Sequence, residues 1–385
     1  MSKLYAGIDL GLRFHQVALV DANGQRLGEP IRIRRGCSGT EQLLAHAQVS
    51  PDELVVSIEA TGNYWQELVS MLRRAGCEVY LISPKKSHDL RRFYALHTKT
   101  DTTDAEALAR MPVVDRSLKP VWVAPPVVDT LLRLCRLRWK YRCEIANSKR
   151  RLTTFVELVM PGLGVVMPLR YSKSARLFLR RYLSPQKCRR LGHKRLVAIL
   201  AKAAWGKFSD EKAQALWQCV ENAPPMDYNG DDVLLEVNVQ IDALERLEDN
   251  VARLDARIAE LYGEVDPAQR LLAIKGLGEF LAPAITAHIG DANRFDTSKQ
   301  LISYAGLAPR VKHTAGHAKP GQSLSKRGSS YLRAWAYLGA ACARQYDDEL
   351  GRYYSAMRAR GKHYNVALCA TAARLLERCH EVLKN

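Results

Sequence analysis

The feature that most constrains the fold is a change in hydrophobic period near Pro125-Pro126. Before it, short β-branched runs alternate with segments of helical spacing. The strand-like runs are Leu4 to Asp9, Gln16 to Val20, Ile31 to Arg34, Val55 to Glu59 and Glu78 to Ile82. After it, apolar residues recur every three or four positions over much longer stretches. The pattern predicts an α/β domain over residues 1–125, followed by a mostly helical remainder.

Two long helical patterns open this remainder. The first runs from Val127 to about Met160, and the second runs from Asp231 to Tyr262 with nine apolar residues at spacings of three and four. Core packing alone would produce such spacing, but its length indicates a coiled-coil-like seam. We predict coiled-coil arms over residues 126–265, paired within one chain or between two. A basic helical insert is predicted at about 161–230, and a last domain over 266–385.

Four carboxylates in the first domain form the main candidate site. Asp9 and Glu59 lie at the ends of predicted strands, while Asp101 and Asp104 are three residues apart at a predicted helix start. Any one of them could serve only as a helix cap or a solvated charge. Hard oxygen ligands from separate elements are what Mg²⁺ uses. Together the four predict a site for Mg²⁺ or Mn²⁺ that cuts phosphodiesters.

The charge of the chain predicts a polyanionic partner. Lys and Arg outnumber Asp and Glu by 58 to 40, a formal net charge of +18, and nucleic acid is the leading candidate. Residues 170–195 contain ten Lys or Arg, no acid and several aromatic residues. A basic run is often only a solvated face, but this composition suits phosphates and stacked bases. The predicted contacts in this run are Arg170, Arg180, Arg181, Arg189 and Arg190.

The nine cysteines are scattered and form no Cys-x-x-Cys pair. This spacing indicates neither a zinc ribbon nor a disulfide framework. The sequence has no apolar run long enough to span a membrane, and no charged leader followed by an apolar core. We therefore expect a cytoplasmic protein without a membrane partner.

The C-terminal domain opens with Gly276 and Gly278 between apolar helical stretches. This is the pattern of a helix-hairpin-helix, whose turn presents backbone N–H groups to a DNA phosphate. A Tyr-Ala-Gly-Leu-Ala-Pro-Arg segment then leads into a polar loop that contains Thr314 and Ser323. After this loop, a helical segment is expected to start at Leu324 and to run to the end.

Together these segments resemble the DEDD transposases of bacterial insertion sequences. The resemblance rests on Gly-Ile-Asp9, Ile-Glu59-Ala-Thr-Gly-Asn-Tyr, Lys-Thr-Asp101-Thr-Thr-Asp104-Ala, the Gly-x-Gly turn, Tyr-Ala-Gly-Leu-Ala-Pro309-Arg310 and Ser325-Lys326-Arg327-Gly328. It implies a ribonuclease-H-like (RuvC-like) nuclease domain and a C-terminal transposase domain that flank a coiled coil. The α/β order of the first domain is also typical of ribonuclease-H-like nucleases. A structured bridge RNA would specify donor and target DNA.

The resemblance also implies roles for individual residues. The metal-binding catalytic tetrad would be Asp9, Glu59, Asp101 and Asp104. The family joins a serine covalently to DNA, usually in a Ser-Gly pair eleven residues before the Ser-Lys motif; here that position is Thr314, followed by Ala315. The extra methyl crowds an in-line attack, and the missing glycine removes backbone freedom. Three interpretations stay open: Thr314 is the nucleophile, Ser323 replaces it, or this copy is impaired.

The activity implied by the resemblance is RNA-guided DNA cleavage and strand exchange. Two alternatives remain: a RuvC-like metal-dependent endonuclease that uses water, and a nucleic-acid-binding relative that no longer cleaves. Since the carboxylates and the hydroxyl are far apart in the chain, we expect a homo-oligomer, a dimer or a tetramer, with the active site assembled between subunits. Further cations expected to hold phosphates are Lys85, Lys86, Lys312, Lys326 and Arg327.

Overall fold

The computed structural model describes residues 3–60, 65–94, 100–167, 172–204, 208–224, 230–310, 313–314, 317–318 and 323–385. Arg170 and Lys312, two of the predicted nucleic-acid contacts, lie outside the described residues. The chain divides into two compact units, Met1–Val123 and Ala124–Asn385. Within the described ranges, no helix combines the length and the apolar character needed to cross a membrane. The predicted boundary at 265 lies inside the second unit and stays a prediction.

The described part of the first unit is built on a five-stranded sheet. Its strands are β1 (Leu4–Asp9), β2 (Phe14–Val20), β3 (Arg26–Arg34), β4 (Leu54–Glu59) and β5 (Glu78–Ile82). The spatial order is β3-β2-β1-β4-β5. β1, β2 and β3 are antiparallel, whereas β1, β4 and β5 are parallel. This mixed sheet is compatible with a ribonuclease-H-like fold, and it places β1 at the centre.

Helices lie on both faces of this sheet. Those in the described residues are α1 (Cys37–Ala47), α2 (Trp65–Ala75), α3 (Pro84–Tyr94) and α4 (Asp101–Val114). α1 and α2 share a buried core with Ala6 and Ile8 of β1. α4 packs on the other face, where Gly7 allows close contact, because a Cβ there would lie 1.9 Å from the carbonyl oxygen of Ala105. The start of α4 therefore lies near the end of β1.

The second unit begins with two long helices separated by short ones. Its first elements are α5 (Pro126–Val159), α6 (Leu163–Val166), α7 (Lys173–Tyr182), α8 (Pro185–Leu191), α9 (His193–Ala203), α10 (Asp210–Asn222) and α11 (Gly230–Val265). Arg138 Nε lies 2.8 Å from Asp255 Oδ1, and Lys149 Nζ lies 2.8 Å from Glu248 Oε1. As the residue number rises along α5 it falls along α11, so the two helices are antiparallel. The segments predicted as arms therefore pair within one chain.

The rest of the second unit is mostly helical. Its elements are α12 (Leu281–Ile289), α13 (Ser298–Tyr304), β6 (His313–Thr314), β7 (His317–Ala318), α14 (Ser330–Tyr346), α15 (Asp348–Ala359) and α16 (Tyr364–Lys384). Short 3-10 helices lie at Pro51–Glu53 in the first unit, and at Arg270–Ala273 and Ala292–Arg294 in the second.

The helical segment predicted to start at Leu324 starts only at Ser330, so this prediction was wrong. Leu324 instead forms an antiparallel bridge with Pro309. Lys326 and Gly328 have φ angles of 52° and 141°, which lie outside the helical region. Contacts with the preceding chain override the local helical pattern here.

Candidate active site

Asp9 and Glu59 lie side by side at the carboxyl ends of β1 and β4. In the parallel register Ile8 is opposite Ile58, so the next residue of each strand projects from the same face. Gly7, two residues before Asp9, projects from that face too, and α4 covers it. The sheet therefore brings both strand-end carboxylates to the side where α4 packs.

Asp101 and Asp104 lie in the first turn of α4. The helix starts there because the Thr100 side chain accepts a hydrogen bond from the backbone N–H of Thr103, while the Thr103 hydroxyl accepts one from the backbone N–H of Thr100. The positive end of the helix dipole stabilises carboxylates in a first turn. Local capping therefore places both acids where the helix meets the sheet.

Three of the carboxylates act electrostatically on the fourth, Asp9. Burial, and after it the negative charges of Asp104, Asp101 and Glu59 in that order, raise the pKa of Asp9 to about 6, against a hydrogen bond from the backbone N–H of Leu10 that lowers it. Like charges close together disfavour ionisation of the most buried one. Acids that are up to 95 residues apart in the sequence thus form one acidic cluster around Asp9.

Helix α3 provides partners for two of these carboxylates. The Ser87 hydroxyl donates a hydrogen bond to the Glu59 carboxylate, and Arg91 Nη1 donates one of 2.8 Å to Asp104 Oδ1. Ser87 and Arg91 are four residues apart, so both project from one face of α3. Sequence reasoning missed Ser87, although the spacing of four residues between Ser87 and Arg91, close after the basic pair Lys85-Lys86, was a usable signal.

The oxygen donors of the four acids are of the chemical type that divalent cations bind. Carboxylate oxygens are the ligands that Mg²⁺ and Mn²⁺ prefer, and a cation would relieve the repulsion that raises the pKa of Asp9. Among the described residues, no three His, Cys, Asp or Glu side chains are arranged to share a metal ion. Glu59 and Asp104 are bonded to Ser87 and Arg91 instead.

Two protein-family models match the chain, one in its N-terminal part and one in its C-terminal part. A model described as "Transposase" matches residues 6–161. A model described as "Transposase IS116/IS110/IS902 family" matches residues 268–355. The chain belongs to this family of insertion-sequence transposases. It is therefore an enzyme that recombines DNA.

Relatives match this transposase over most of its length. The "Insertion element IS116 uncharacterized 44.8 kDa protein" of Streptomyces clavuligerus is 24% identical over 97% of this chain and 93% of that protein. The "Probable family 20 transposase" of Pseudomonas aeruginosa is 27% identical over 87% of this chain and 82% of its own. The "Pilin gene-inverting protein" of Moraxella lacunata is 21% identical over 100% of this chain and 97% of that protein. The likeness thus extends through both units of the transposase.

Thr314 of the transposase lies in a short β-hairpin. β6 and β7 are antiparallel, with Thr314 opposite His317, and only two residues separate these partners in the sequence. At the base of the loop, the Arg310 backbone N–H donates a hydrogen bond of 2.9 Å to the carbonyl oxygen of Ser323. Ser323 is therefore at the base of the loop, whereas Thr314 belongs to the antiparallel pair within it. The Thr314 hydroxyl lies outside the described atoms.

Lys326 and Arg327 lie in a turn whose backbone is hydrogen-bonded to residues at and just after the end of α13. The Lys326 backbone N–H donates a hydrogen bond of 3.2 Å to the carbonyl oxygen of Gly306. The Ser329 backbone N–H donates one of 2.8 Å to the carbonyl oxygen of Tyr304. Both basic side chains are exposed. The turn is held by its backbone, which leaves these two side chains accessible to phosphate.

The two glycines of the Gly-x-Gly turn have different surroundings. Gly276 has a φ of +101°, and a Cβ there would lie 2.6 Å from the backbone nitrogen of Ala343 in α14. Packing against α14 therefore accounts for Gly276 without a nucleic acid. No described heavy atom lies within 4 Å of a Cβ built on Gly278. Gly278 is the member of the pair with room for a phosphate.

The four described arginines predicted in the basic run also differ. Arg180 forms ion pairs of 2.6 and 2.8 Å with two carboxylates of α11. The Arg189 guanidinium donates a hydrogen bond of 2.8 Å to a carbonyl oxygen near the end of α10. Arg181 and Arg190 are exposed. Half of this set therefore stabilises the insert, and the other half is available to a polyanion.

Lys85 and Lys86 at the start of α3 also differ in whether the side chain forms an ion pair with a carboxylate of a described residue. Lys86 Nζ lies 2.7 Å from Asp115 Oδ2. Hydrogen bonds from Lys86 and then from Ser117 lower the pKa of Asp115 to about 2. Lys85 is exposed, which makes it the better candidate for a phosphate contact.

Proposed function

We propose that this transposase cuts and exchanges DNA strands at a divalent-metal site formed by Asp9, Glu59, Asp101 and Asp104. The supporting observation is that Asp9, at the end of the central strand, is within electrostatic reach of the other three acids. Bound Mg²⁺ or Mn²⁺ would polarise the scissile phosphate and stabilise the leaving 3′ oxygen. The four carboxylates would hold the cation, with Ser87 orienting Glu59 beforehand.

Thr314 supplies the attacking hydroxyl in this proposal. Its oxygen forms a bond to phosphorus as the bond from phosphorus to the 3′ oxygen breaks; the threonine gives up its proton, and the 3′ oxygen takes one from solvent. The resulting phosphoester conserves the bond energy, so strand exchange needs no external energy source. Lys326 and Arg327 are both exposed on a turn that backbone hydrogen bonds hold in place. Together with Lys312, they would hold phosphate oxygens.

The transposase is further proposed to use a structured noncoding RNA as its guide. The net charge of +18 suits a large polyanion in addition to DNA. Arg181 and Arg190 of the insert are exposed and are candidates for this contact. Sequencing the nucleic acid that co-purifies with the protein tests the idea. A discrete RNA encoded beside the gene supports guidance, whereas random fragments contradict it.

We also propose that the transposase works as a dimer or a tetramer. Because α5 and α11 already pair within one chain, a second copy would dock on their outer surface. Leu235 and Val239, four residues apart on α11, are 63% and 58% exposed. Two large apolar side chains on one exposed helix face suit such a contact.

The test of the cleavage centre is an Asp101→Asn variant assayed on DNA that carries the ends of the element. We expect its Mg²⁺-dependent cutting to fall by at least about a hundredfold. Asp52→Asn, a matched change at an exposed acid of the same unit, should cut at the rate of the unaltered protein. Undiminished cutting by Asp101→Asn would refute the proposed centre. A protein that never cuts under any of these conditions would match the cleavage-deficient alternative.

A further inference from the structure

A cleft of about 430 Å³ opens beside Asp9 and Asp101. One wall is a row of residues on neighbouring strands: Asp9 of β1 pairs with Gln16 of β2, and Gln16 pairs with Arg32 of β3. Cross-strand partners project from the same face of a sheet. Arg32 Nε also donates a hydrogen bond of 3.3 Å to the Gln16 side-chain oxygen. The row leads from the acidic cluster towards the edge strand of the sheet.

The turn between β1 and β2 presents two large apolar side chains at this cleft. Leu12 is 66% exposed and Phe14 is 49% exposed, and both line the cleft. Arg13 between them is exposed as well. The turn is tight at Gly11, where a Cβ would lie 2.1 Å from the Phe14 carbonyl oxygen. Apolar groups held beside cations and acids, at the mouth of a concave site, are typical of a ligand contact.

The cations of the cleft narrow the choice of ligand. Four carboxylates alone would repel a phosphate, but Arg13 and Arg32 both line the same space. A nucleic-acid base has a flat apolar face, which stacks on an aromatic ring in any sequence context. The volume lies in the range of about 300–1,000 Å³ that is usual for ligand sites. It suits one unstacked nucleotide better than a duplex.

We infer that this cleft binds the nucleotide next to the scissile phosphate. Phe14 and Leu12 contact its base, and Arg13 and Arg32 contact the phosphates on either side. The site positions the strand, so that the phosphodiester to be cut lies over the acidic cluster. This inference rests on the proposed function, because it takes Asp9 and its neighbours as the cleavage centre.

The test is photo-crosslinking of a DNA end of the element that carries 5-iodouracil at a nucleotide flanking the cut site. The full-length protein is used with its co-purified nucleic acid, and Ca²⁺ replaces Mg²⁺ to prevent cutting. We expect the crosslink to map to residues 12–14 by mass spectrometry. Phe14→Ala should reduce its yield and the DNA affinity about tenfold, and Phe14→Trp should restore both.

Leu27→Ala is the matched control, because Leu27 is 42% exposed on β3 and is not among the residues that line the cleft. Its crosslink yield should equal that of the unaltered protein. A crosslink that maps elsewhere, or one that Phe14→Ala leaves unchanged, overturns the inference even where Asp101→Asn abolishes cutting. If Asp101→Asn still cuts, the cleavage centre fails instead, whatever the crosslink shows.

Discussion

Arg91 Nη1 donates a hydrogen bond of 2.8 Å to Asp104 Oδ1, so a guanidinium on α3 is bonded to one of the four clustered acids. The two side chains are only 18% and 16% exposed, and solvent screens such a pair less than a surface pair. A bound metal ion would attract the same carboxylate. In the proposed metal site, Arg91 and the metal would therefore compete for Asp104.

Replacing Arg91 by glutamine should tighten the binding of Mn²⁺ by about tenfold, roughly 1.4 kcal/mol, because Asp104 is released and a repelling charge is removed. Calorimetric titration of the protein with Mn²⁺ measures this. Arg92→Gln removes the same charge from the next position of α3, which is exposed, and should change the affinity less. Equal effects of the two variants would show that only the overall charge matters.

Thr314→Ala should abolish the covalent protein–DNA adduct, since alanine has no hydroxyl. Thr314→Ser should keep the adduct or increase it, because the crowding methyl is gone. Both are measured with end-labelled DNA on a denaturing gel. Ser323→Ala is the control, and it should form the adduct normally. An adduct that survives Thr314→Ala but is lost with Ser323→Ala would move the nucleophile to the base of the loop. Cutting without any adduct would support the water-using endonuclease.

Two variants that are inactive alone should recover activity when mixed, if different subunits supply the carboxylates and the hydroxyl. Mixing Asp101→Asn with Thr314→Ala before assembly should restore up to about a quarter to a half of the strand exchange, according to how the subunits combine. The readout is recombinant product by quantitative sequencing. No recovery from mixed subunits, with each variant still assembling normally, would place both groups in one chain.

Gly7→Ala should destabilise the first unit by about 3 kcal/mol. The added Cβ would lie 1.9 Å from the carbonyl oxygen of Ala105 and 2.2 Å from the backbone nitrogen of Ala109, so α4 would have to move. The shift would also weaken Mn²⁺ binding, because α4 carries Asp101 and Asp104. Gly278→Ala, where no described heavy atom is within 4 Å of the new Cβ, is the control for denaturant unfolding. An unchanged unfolding midpoint for Gly7→Ala would contradict the close packing.

His288 should make the second unit less stable in mild acid. Burial lowers the pKa of His288 to about 3, with the charges of Arg136 and Arg294 adding to the effect. In the unfolded chain the pKa is about 6.5, so on acidification the unfolded state binds the proton first. The stabilisation is present above pH 6.5 and is lost as the pH falls from 6.5 towards 3.

Between pH 7 and pH 5, this residue should cost about 2 kcal/mol of unfolding free energy. Urea unfolding followed by tryptophan fluorescence measures the difference, and Trp335 lies 5.8 Å from His288 between ring centroids. His288→Gln has no titrating ring, so its loss over the same interval should be smaller by that amount. Identical losses would mean that the pKa of His288 in the folded protein is not lowered.

Much of the first unit was predictable because its signals are local. The predicted bounds of β1 and β5 agree with the structure, since the residue preferences of strands and turns act over a few residues. β3 is longer than predicted, and starts at Arg26 instead of Ile31. Gly28 and Pro30 weaken the local strand pattern, but pairing with β2, where Leu27 is opposite Leu19, supplies the hydrogen bonds.

The sequence by itself determined where the acids stand on their elements: Asp9 and Glu59 at strand ends, and Asp101 and Asp104 at a capped helix start. Short-range pattern and capping are enough for that. Only the tertiary structure decided which distant groups meet them, namely Ser87 and Arg91. It also decided that Arg180, Arg189 and Gly276 are engaged inside the second unit. Such contacts depend on how segments far apart in the chain pack, and local residue preferences do not carry that information.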